Sequence, residues 1–258
     1  MTSPEPPADA WIAALRSSHD RLRAVAERLT PEQVRQRGYP AEWSIAQVLS
    51  HVGSGAEINM MLFDANLVGE EAPPRESNSA VWDRWNSKSP DEQAADALKA
   101  DALLVEKVEA NAGTAATFHL WSGPTGIGGF AASRLSEHAV HTWDVAVAVD
   151  PSATILPDAV ALLVDQLPPL LRFAAKPSGW TGVVHVSTSG PAREFALRLG
   201  ETSTVEPWSG GAAAGRLELP AEALVRLAYG RLDPDHTPAS VRADGIDLAD
   251  LRAVFQGF

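Results

Sequence analysis

The sequence predicts an N-terminal four-helix bundle followed by a smaller C-terminal α+β domain. Residues 8–149 contain stretches of about twenty residues with apolar side chains at helical spacing, which is typical of amphipathic helices packed in a bundle. After Asp150-Pro151, short apolar runs alternate with glycine and proline turns, which indicates strands mixed with short helices. We therefore predict two domains, residues 1–150 and residues 151–258.

Local start signals define the bundle helices. Ser44 and Gln47 have the spacing of a capping box, in which each side chain bonds the backbone N–H of the other residue. Ser89 precedes a proline and two acidic residues, which is another typical helix start. Gly53 and Gly55 weaken the second helix, and we expect them to let a backbone or a ligand come close. The predicted helices cover residues 8–29, 44–68, 90–111 and 127–149, and a long loop is predicted over residues 69–89.

The C-terminal part is predicted to hold a small, mostly antiparallel sheet. Gly190-Pro191 supplies a turn between the first two strand-like runs. Pro157 and Pro220 stand at the starts of two helical stretches. The predicted strands are residues 182–186, 194–199, 216–219 and 241–245, and the predicted helices are residues 157–174, 221–230 and 247–256.

Composition excludes several classes of function. The 258 residues carry a formal net charge of −12, and no cluster of lysine and arginine is present. This charge disfavours binding to nucleic acids and to anionic membranes. No apolar run approaches the roughly 20 residues that span a bilayer. The first residues also lack the basic and apolar segments of a signal peptide, so we expect a cytoplasmic protein.

The absence of cysteine limits the chemistry further. With no cysteine in the chain, disulfides, thiolate metal sites and a cysteine nucleophile are excluded. Any thiol chemistry must therefore use the sulfur of a small molecule.

One constellation of residues has the character of a metal site. Glu137 and His141 are four residues apart, which places both on one face of the fourth predicted helix. His51 on the second predicted helix is expected to point inward between helices, where bundle metal sites are built. Two imidazoles and one carboxylate are a common ligand set for a catalytic first-row metal. Asp144, on the same side of the fourth helix, could orient a ligating imidazole.

The same residues allow simpler interpretations. A glutamate and a histidine at this spacing often form only a solvated ion pair, and His51 alone could be a hydrogen-bonded interior histidine. His138 is an alternative to His141, although it lies about 100° around the helix from Glu137. Spacing alone leaves these interpretations open.

Three further residues are expected near this region. His19 lies beside the apolar stripe of the first helix, where we predict a structural or pocket-lining role. Trp43 and Trp143 flank the helix segments that carry the proposed ligands, so we predict that they lie nearest the site.

Two segments resemble a known family. Residues 43–51 read W-S-I-A-Q-V-L-S-H and resemble the start of the second helix in DinB-like proteins. Residues 137–144 read E-H-A-V-H-T-W-D and resemble the matching motif of the fourth helix. With its α+β tail, the chain is similar over nearly its whole length to the mycothiol-dependent maleylpyruvate isomerase family.

The resemblance implies a fold and a set of site residues. It implies a DinB-like metal-binding bundle whose ligands correspond to His51, Glu137 and His141. It also implies a C-terminal domain similar to sterol carrier proteins, over roughly residues 155–258, which supplies an arginine near the active site. Arg231 is our first choice for that arginine, and Arg242 is the alternative.

The family resemblance also implies a mechanism. A divalent metal, with zinc the first choice, binds the sulfur of mycothiol and lowers the thiol pKa, so that a thiolate forms at neutral pH. The thiolate attacks a small electrophilic substrate, and the outcome is either cis-trans isomerisation or S-transfer. An arginine holds a substrate carboxylate in a two-pronged contact. Two histidines and one glutamate can equally hold nickel, iron or manganese.

Two other functions compete with this interpretation. A metal-dependent hydrolase would use the same ligands to activate water. A non-enzymatic protein would bind a lipid or another ligand through its C-terminal half and use the bundle as a scaffold.

Overall fold

The computed structural model describes residues 6–257. The chain divides between Leu156 and Pro157 into two compact units. The first unit is helical and the second combines a sheet with short helices, which confirms the predicted fold class. Within the described residues, no helix combines the length and the apolar character that crossing a bilayer requires.

Four long helices of the first unit form the bundle. The helices of this unit are α1 (Ala8–Ala26), α2 (Pro31–Val34), α3 (Ile45–Leu67), α4 (Asn78–Asn86), α5 (Pro90–Ala110) and α6 (Ile127–Val147). A hairpin of β1 (Phe118–Leu120) and β2 (Gly123–Thr125) lies between α5 and α6 in the chain. Helix α3 packs against α5 and α6, and α1 packs against α6 and α5. The four predicted bundle helices therefore correspond to α1, α3, α5 and α6.

The predicted helix starts are confirmed at atomic detail. The Ser44 hydroxyl accepts a hydrogen bond from the Gln47 backbone N–H at 3.2 Å, and the Gln47 side chain accepts from the Ser44 N–H at 2.8 Å. The same reciprocal pair joins Ser89 and Glu92 at the start of α5. These bonds satisfy backbone donors that a helix start otherwise leaves open.

The long loop predicted over residues 69–89 is wrong in part. A 3-10 turn at Arg75–Ser77 leads into α4, which buries Val81 and Trp85 one helical turn apart. Most residues around this short apolar face are polar or proline, so the sequence pattern did not indicate a helix. The boundaries of two longer helices also differ, because α1 ends at Ala26 and α6 ends at Val147.

Gly53 lies where the backbone of α5 comes close to α3. A Cβ atom at position 53 would lie 2.8 Å from the Cα atom of Ala97 and would overlap the indole ring of Trp85. Real Cβ atoms do not come this close to a backbone atom, so a side chain at this position would force the helices apart. The expected close approach of another backbone at Gly53 is confirmed.

The variant Gly53→Ala is therefore expected to destabilise the bundle. Alanine favours a helix by about 1 kcal/mol relative to glycine, but overpacking of a tight interface costs about 1–3 kcal/mol. Urea unfolding should show a lower midpoint for this variant. Gly113→Ala is the control, because a Cβ there meets nothing within 4 Å, and its midpoint should not fall. A Gly53→Ala protein as stable as the wild type would show that the interface can relax.

The second unit contains a five-stranded sheet. Its elements are α7 (Pro157–Leu163), a 3-10 turn (Val164–Gln166), α8 (Leu167–Ala174), β3 (Gly182–Ser189), β4 (Arg193–Leu199), β5 (Thr204–Pro207), β6 (Gly215–Pro220), α9 (Ala221–Ala228), β7 (Arg242–Asp244) and α10 (Leu248–Val254). The strand order is β5-β4-β3-β6-β7. Only the β3–β6 pair is parallel among the described strands, so the prediction of a mostly antiparallel sheet is confirmed.

Two predictions for this unit need correction. Strand β5 was not predicted, because its four residues, T-V-E-P, are too few to show an alternating pattern. The single helix predicted over residues 157–174 is instead two helices separated by the 3-10 turn. Pro168 and Pro169 follow this turn, and prolines supply no N–H to bond the preceding helical turn.

Candidate metal centre

Three donor side chains converge between α3 and α6. His51 lies about two turns into α3, and Glu137 and His141 lie one turn apart on α6. The Nε2 atoms of His51 and His141 are 3.8 and 3.6 Å from the same carboxylate oxygen, Glu137 Oε2. The two imidazole rings are 4.6 Å apart, centre to centre. One ligating atom from each residue lies within 4.8 Å of the other two.

This arrangement fits a divalent metal ion. Tetrahedral zinc with bonds of about 2.0–2.1 Å holds its nitrogen and oxygen donors roughly 3.3 Å apart. The observed separations exceed this value by only a few tenths of an ångström, which small side-chain rotations can remove. Two imidazoles and a carboxylate also suit nickel, iron and manganese, so the donor set does not select one metal.

Asp144 holds the imidazole of His141. The Nδ1 atom of His141 and Oδ2 of Asp144 are 2.9 Å apart, and the Asp144 side chain is fully buried. An ionised carboxylate can accept a hydrogen bond but cannot donate one. The Nδ1 atom of His141 therefore carries the proton of this hydrogen bond. In the neutral imidazole the lone pair of His141 is then on Nε2, which is the atom that faces Glu137.

The charges of the site stabilise one another. The neighbouring imidazoles of His141 and then His51 hold the pKa of Glu137 well below its usual range. Burial alone would lower the pKa of His141, but Asp144 and Glu137 together outweigh it and raise that pKa. Burial lowers the pKa of His51, and Glu137 opposes this only in part. The site therefore presents an ionised carboxylate and a neutral His51 imidazole, which are the forms that ligate metals, and a metal ion that binds His141 displaces the proton from its Nε2 atom.

The variant Asp144→Ala is expected to weaken metal binding without removing a ligand. Loss of a carboxylate that orients a ligating histidine typically lowers metal affinity about 10–100-fold. Competition with a chromophoric chelator measures this change directly. Asp150→Ala is the control, since Asp150 is exposed and lies just after α6. An unchanged dissociation constant for Asp144→Ala would show that His141 needs no such support.

The two tryptophans that were predicted to lie nearest the site have different surroundings. The Trp43 ring lies 5.3 Å from the His51 ring and stacks at 6.5 Å on the His141 ring. Trp143 instead packs edge-on against Tyr39, and its indole N–H donates to the Ala153 carbonyl at 2.9 Å. Positions 141 and 143 are about 200° apart around a helix, so these two side chains leave α6 on opposite sides.

The C-terminal arginines lie in the second unit. Arg231 follows α9, and its Nη1 atom donates to the Tyr229 carbonyl at 2.6 Å. Arg242 lies at the exposed start of β7. The role of either arginine at the metal centre stays a prediction.

The bundle also contains a buried network of charged and polar side chains from α1, α5 and α6. This network was not predicted from the sequence. We call His19, Asp101, Arg134 and His138 the Asp101 network. Asp101 Oδ2 is 2.7 Å from both His19 Nδ1 and His138 Nε2, and Arg134 Nη2 donates to Oδ1 at 2.9 Å. A carboxylate within the apolar stripe of α5 was the signal in the sequence that could have revealed it.

The Asp101 network is an ion-paired cluster of the bundle interior. Burial alone would raise the pKa of Asp101, but His138, His19 and Arg134 outweigh it and hold that pKa well below its usual range. Burial also lowers the pKa of His138, and Asp101 opposes this only in part. Although His19, Asp101 and His138 bring three ligating atoms together, Arg134 already supplies a cation beside the carboxylate. His138, the alternative to His141, therefore belongs to this network.

Comparisons with known proteins found one matching sequence profile and two similar structures. A sequence profile of the mycothiol maleylpyruvate isomerase N-terminal domain matches residues 15–146, just over half of the chain. The fold resembles two crystal structures, of the mycothiol-dependent maleylpyruvate isomerase and of a variant in which one histidine is replaced by alanine. Each has a TM-score of 0.69 and 13% sequence identity, over 95% of this chain and 96% of the other.

The crystal structures show a shared fold at this low identity. None of the curated proteins matches the chain at a significant level. The profile match, which spans most of the bundle, shows the family. The chain belongs to the mycothiol maleylpyruvate isomerase family, which takes its name from an enzyme.

Proposed function

We propose that this protein is a mycothiol-dependent isomerase of a small electrophilic substrate, with a divalent metal ion held by His51, Glu137 and His141. The observation that carries the proposal is the approach of two imidazole Nε2 atoms to one carboxylate oxygen inside a bundle of this family. The absence of cysteine supports the need for an external thiol.

Each residue of the site has a distinct role in this proposal. His51, Glu137 and His141 hold the metal, which when bound lowers the pKa of a thiol and supplies its thiolate at neutral pH. Asp144 fixes the orientation of His141 through the 2.9 Å contact. The side chains of His51 and Glu137 are 39% and 52% exposed, which leaves the centre open to small molecules.

The proposed reaction returns its thiol unchanged. Addition of the thiol across a cis double bond forms one C–S bond and one C–H bond, and leaves a single bond that can rotate. Loss of the same thiol and proton then gives the trans isomer. We propose that Arg231 binds a carboxylate of the substrate during these steps, since a guanidinium suits a planar anion. S-transfer is the related outcome in which the thioether is released as product.

Turnover in the presence and absence of mycothiol tests this function. Zinc-loaded protein should isomerise maleylpyruvate only when mycothiol is added, and mass spectrometry should find no accumulated thioether. An accumulated thioether would identify an S-transferase instead. Substrate conversion at the same rate without any thiol would contradict the proposal and favour a hydrolase that activates water.

A further inference from the structure

Arg134 is held in place by two neighbouring helices. Its side chain is only 4% exposed, and its Nη2 atom donates both to Asp101 Oδ1 at 2.9 Å and to the Val52 carbonyl at 3.0 Å. The first contact comes from α5 and the second from α3, next to His51. The guanidinium therefore has a fixed position and no freedom to swing into solvent.

Only some of the N–H donors of this guanidinium have a hydrogen-bond partner in the protein. Both N–H groups of Nη2 are used, but Nε is buried without a hydrogen-bond partner among the described residues. No side chain or carbonyl in residues 6–257 accepts from Nη1 either. A purely structural arginine would leave fewer donors open, because a buried unpaired donor costs about 1–3 kcal/mol.

The open nitrogen lies beside a glycine. A Cβ atom at Gly55 would be 3.2 Å from Arg134 Nη1 and, its own helix aside, would meet no other heavy atom within 4 Å. The missing side chain therefore leaves room next to Nη1. The sequence led us to expect that Gly53 and Gly55 allow a close approach, and only Gly53 faces a backbone.

This space adjoins the metal centre on both helices. Gly55 is four residues after His51 on α3, and Arg134 is three residues before Glu137 on α6. On each helix this is about one turn, or roughly 4.5–6 Å along the axis. A small molecule bound at the metal centre can therefore reach Nη1 with a second group.

We propose that Nη1 of Arg134 binds a carboxylate of the small molecule that occupies the metal centre. This inference rests on the proposed function and adds to it a carboxylate-binding side chain in the bundle itself, about one helical turn from the proposed metal ligands. The Asp101 network has a second role in this proposal, because it holds the guanidinium so that Nη1 faces the space beside Gly55. A charge-assisted hydrogen bond of this kind selects carboxylates over neutral analogues.

Titration of the full chain with maleate tests the proposal. The Nε–H resonance of Arg134 should be visible by NMR, because Nε is buried. Maleate should shift this resonance in both metal-free and zinc-loaded protein, and the neutral maleamide should not. Absence of a maleate shift while zinc still binds would overturn the inference and leave the proposed function intact.

Substitution at Gly55 provides the matched variant. In Gly55→Ala a methyl group contacts Nη1 and blocks it, and alanine is well tolerated in a helix. Its affinity for maleate should fall at least about tenfold, with the zinc dissociation constant unchanged, whereas Gly113→Ala should bind maleate like the wild type. Undiminished maleate binding by Gly55→Ala would overturn the proposal.

A second variant removes the donor itself. Arg134→Lys keeps a positive charge for Asp101 but lacks a second nitrogen to present beside Gly55. Maleate binding, followed on the resonances of the ligand, should be lost in this variant. If wild-type protein fails to bind zinc, the proposed function falls, and the maleate titration of metal-free protein still decides this inference.

Discussion

Substitution of His51 by alanine is expected to abolish both metal binding and mycothiol-dependent turnover. Purified wild-type protein should carry about one divalent metal ion per chain, as expected for one site with three protein ligands. Of the three proposed ligands His51 is the one on α3, and the remaining two on α6 form an incomplete site. We expect the metal dissociation constant to rise more than about a hundredfold, which exceeds the effect of losing an outer partner.

Elemental analysis after dialysis measures the first effect, and a mycothiol-dependent isomerase assay measures the second. His236→Ala is a suitable control, because this histidine lies in the second unit and pairs with Asp233. The control should keep its metal and its activity. A His51→Ala protein with a full complement of metal would contradict the proposed ligand set.

The variant Asp101→Asn is expected to cause the largest loss of stability in the bundle. Asp101 is fully buried and is the partner of the buried Arg134 guanidinium. Removal of one member of a buried ion pair leaves the other charge uncompensated and costs about 3–5 kcal/mol. Two imidazoles, of His19 and His138, also lose the anionic acceptor that they share.

Urea unfolding of metal-free protein measures this loss. Asp91→Asn is the matched control on the same helix, because Asp91 is exposed and pairs with Arg35 at the surface, and its unfolding midpoint should not move. The pKa of Asp101 is lower in the fold than in the unfolded chain, so its contribution is present above about pH 4 and is lost as the pH falls. The difference between Asp101→Asn and the wild type should therefore shrink in acid. A free energy of unfolding within about 1 kcal/mol of the wild type at neutral pH would contradict this account.

Local signals explain which parts of the fold the sequence could predict. The capping boxes at Ser44 and Ser89 depend on residues three positions apart, so they are visible in the sequence and are confirmed. The helix α4 and the strand β5 were not predicted because each is short. Their few apolar residues form no recognisable periodic pattern, and only the packed structure shows which of them are buried. Residue spacing alone could not separate α7 from α8, since both segments are apolar.

The site shows the same limit. The four-residue spacing of Glu137 and His141 shows that they share a helix face, but only the packing of α3 against α6 brings His51 to the same oxygen. The Asp101 network was missed because its members come from three helices and each one alone is an ordinary polar residue. Gly55 and Arg134 likewise gain significance only from their contact across the bundle.

The two clusters of the bundle are joined through the backbone of α3. Arg134 donates to the carbonyl of Val52, the residue after His51, while His138 follows Glu137 directly on α6. Changes in the Asp101 network therefore act on both helices that carry the proposed ligands. This connection makes metal affinity a useful second measurement for any variant of the network.

Anomalous diffraction from crystals grown with zinc tests the proposed metal centre most directly. Data collected on both sides of the zinc absorption edge should show one strong peak, about 2.0–2.2 Å from Nε2 of His51, Nε2 of His141 and a carboxylate oxygen of Glu137. A principal peak elsewhere, for example between His19 and His138, or no peak between α3 and α6, would contradict the assignment of the metal and the mechanism that depends on it.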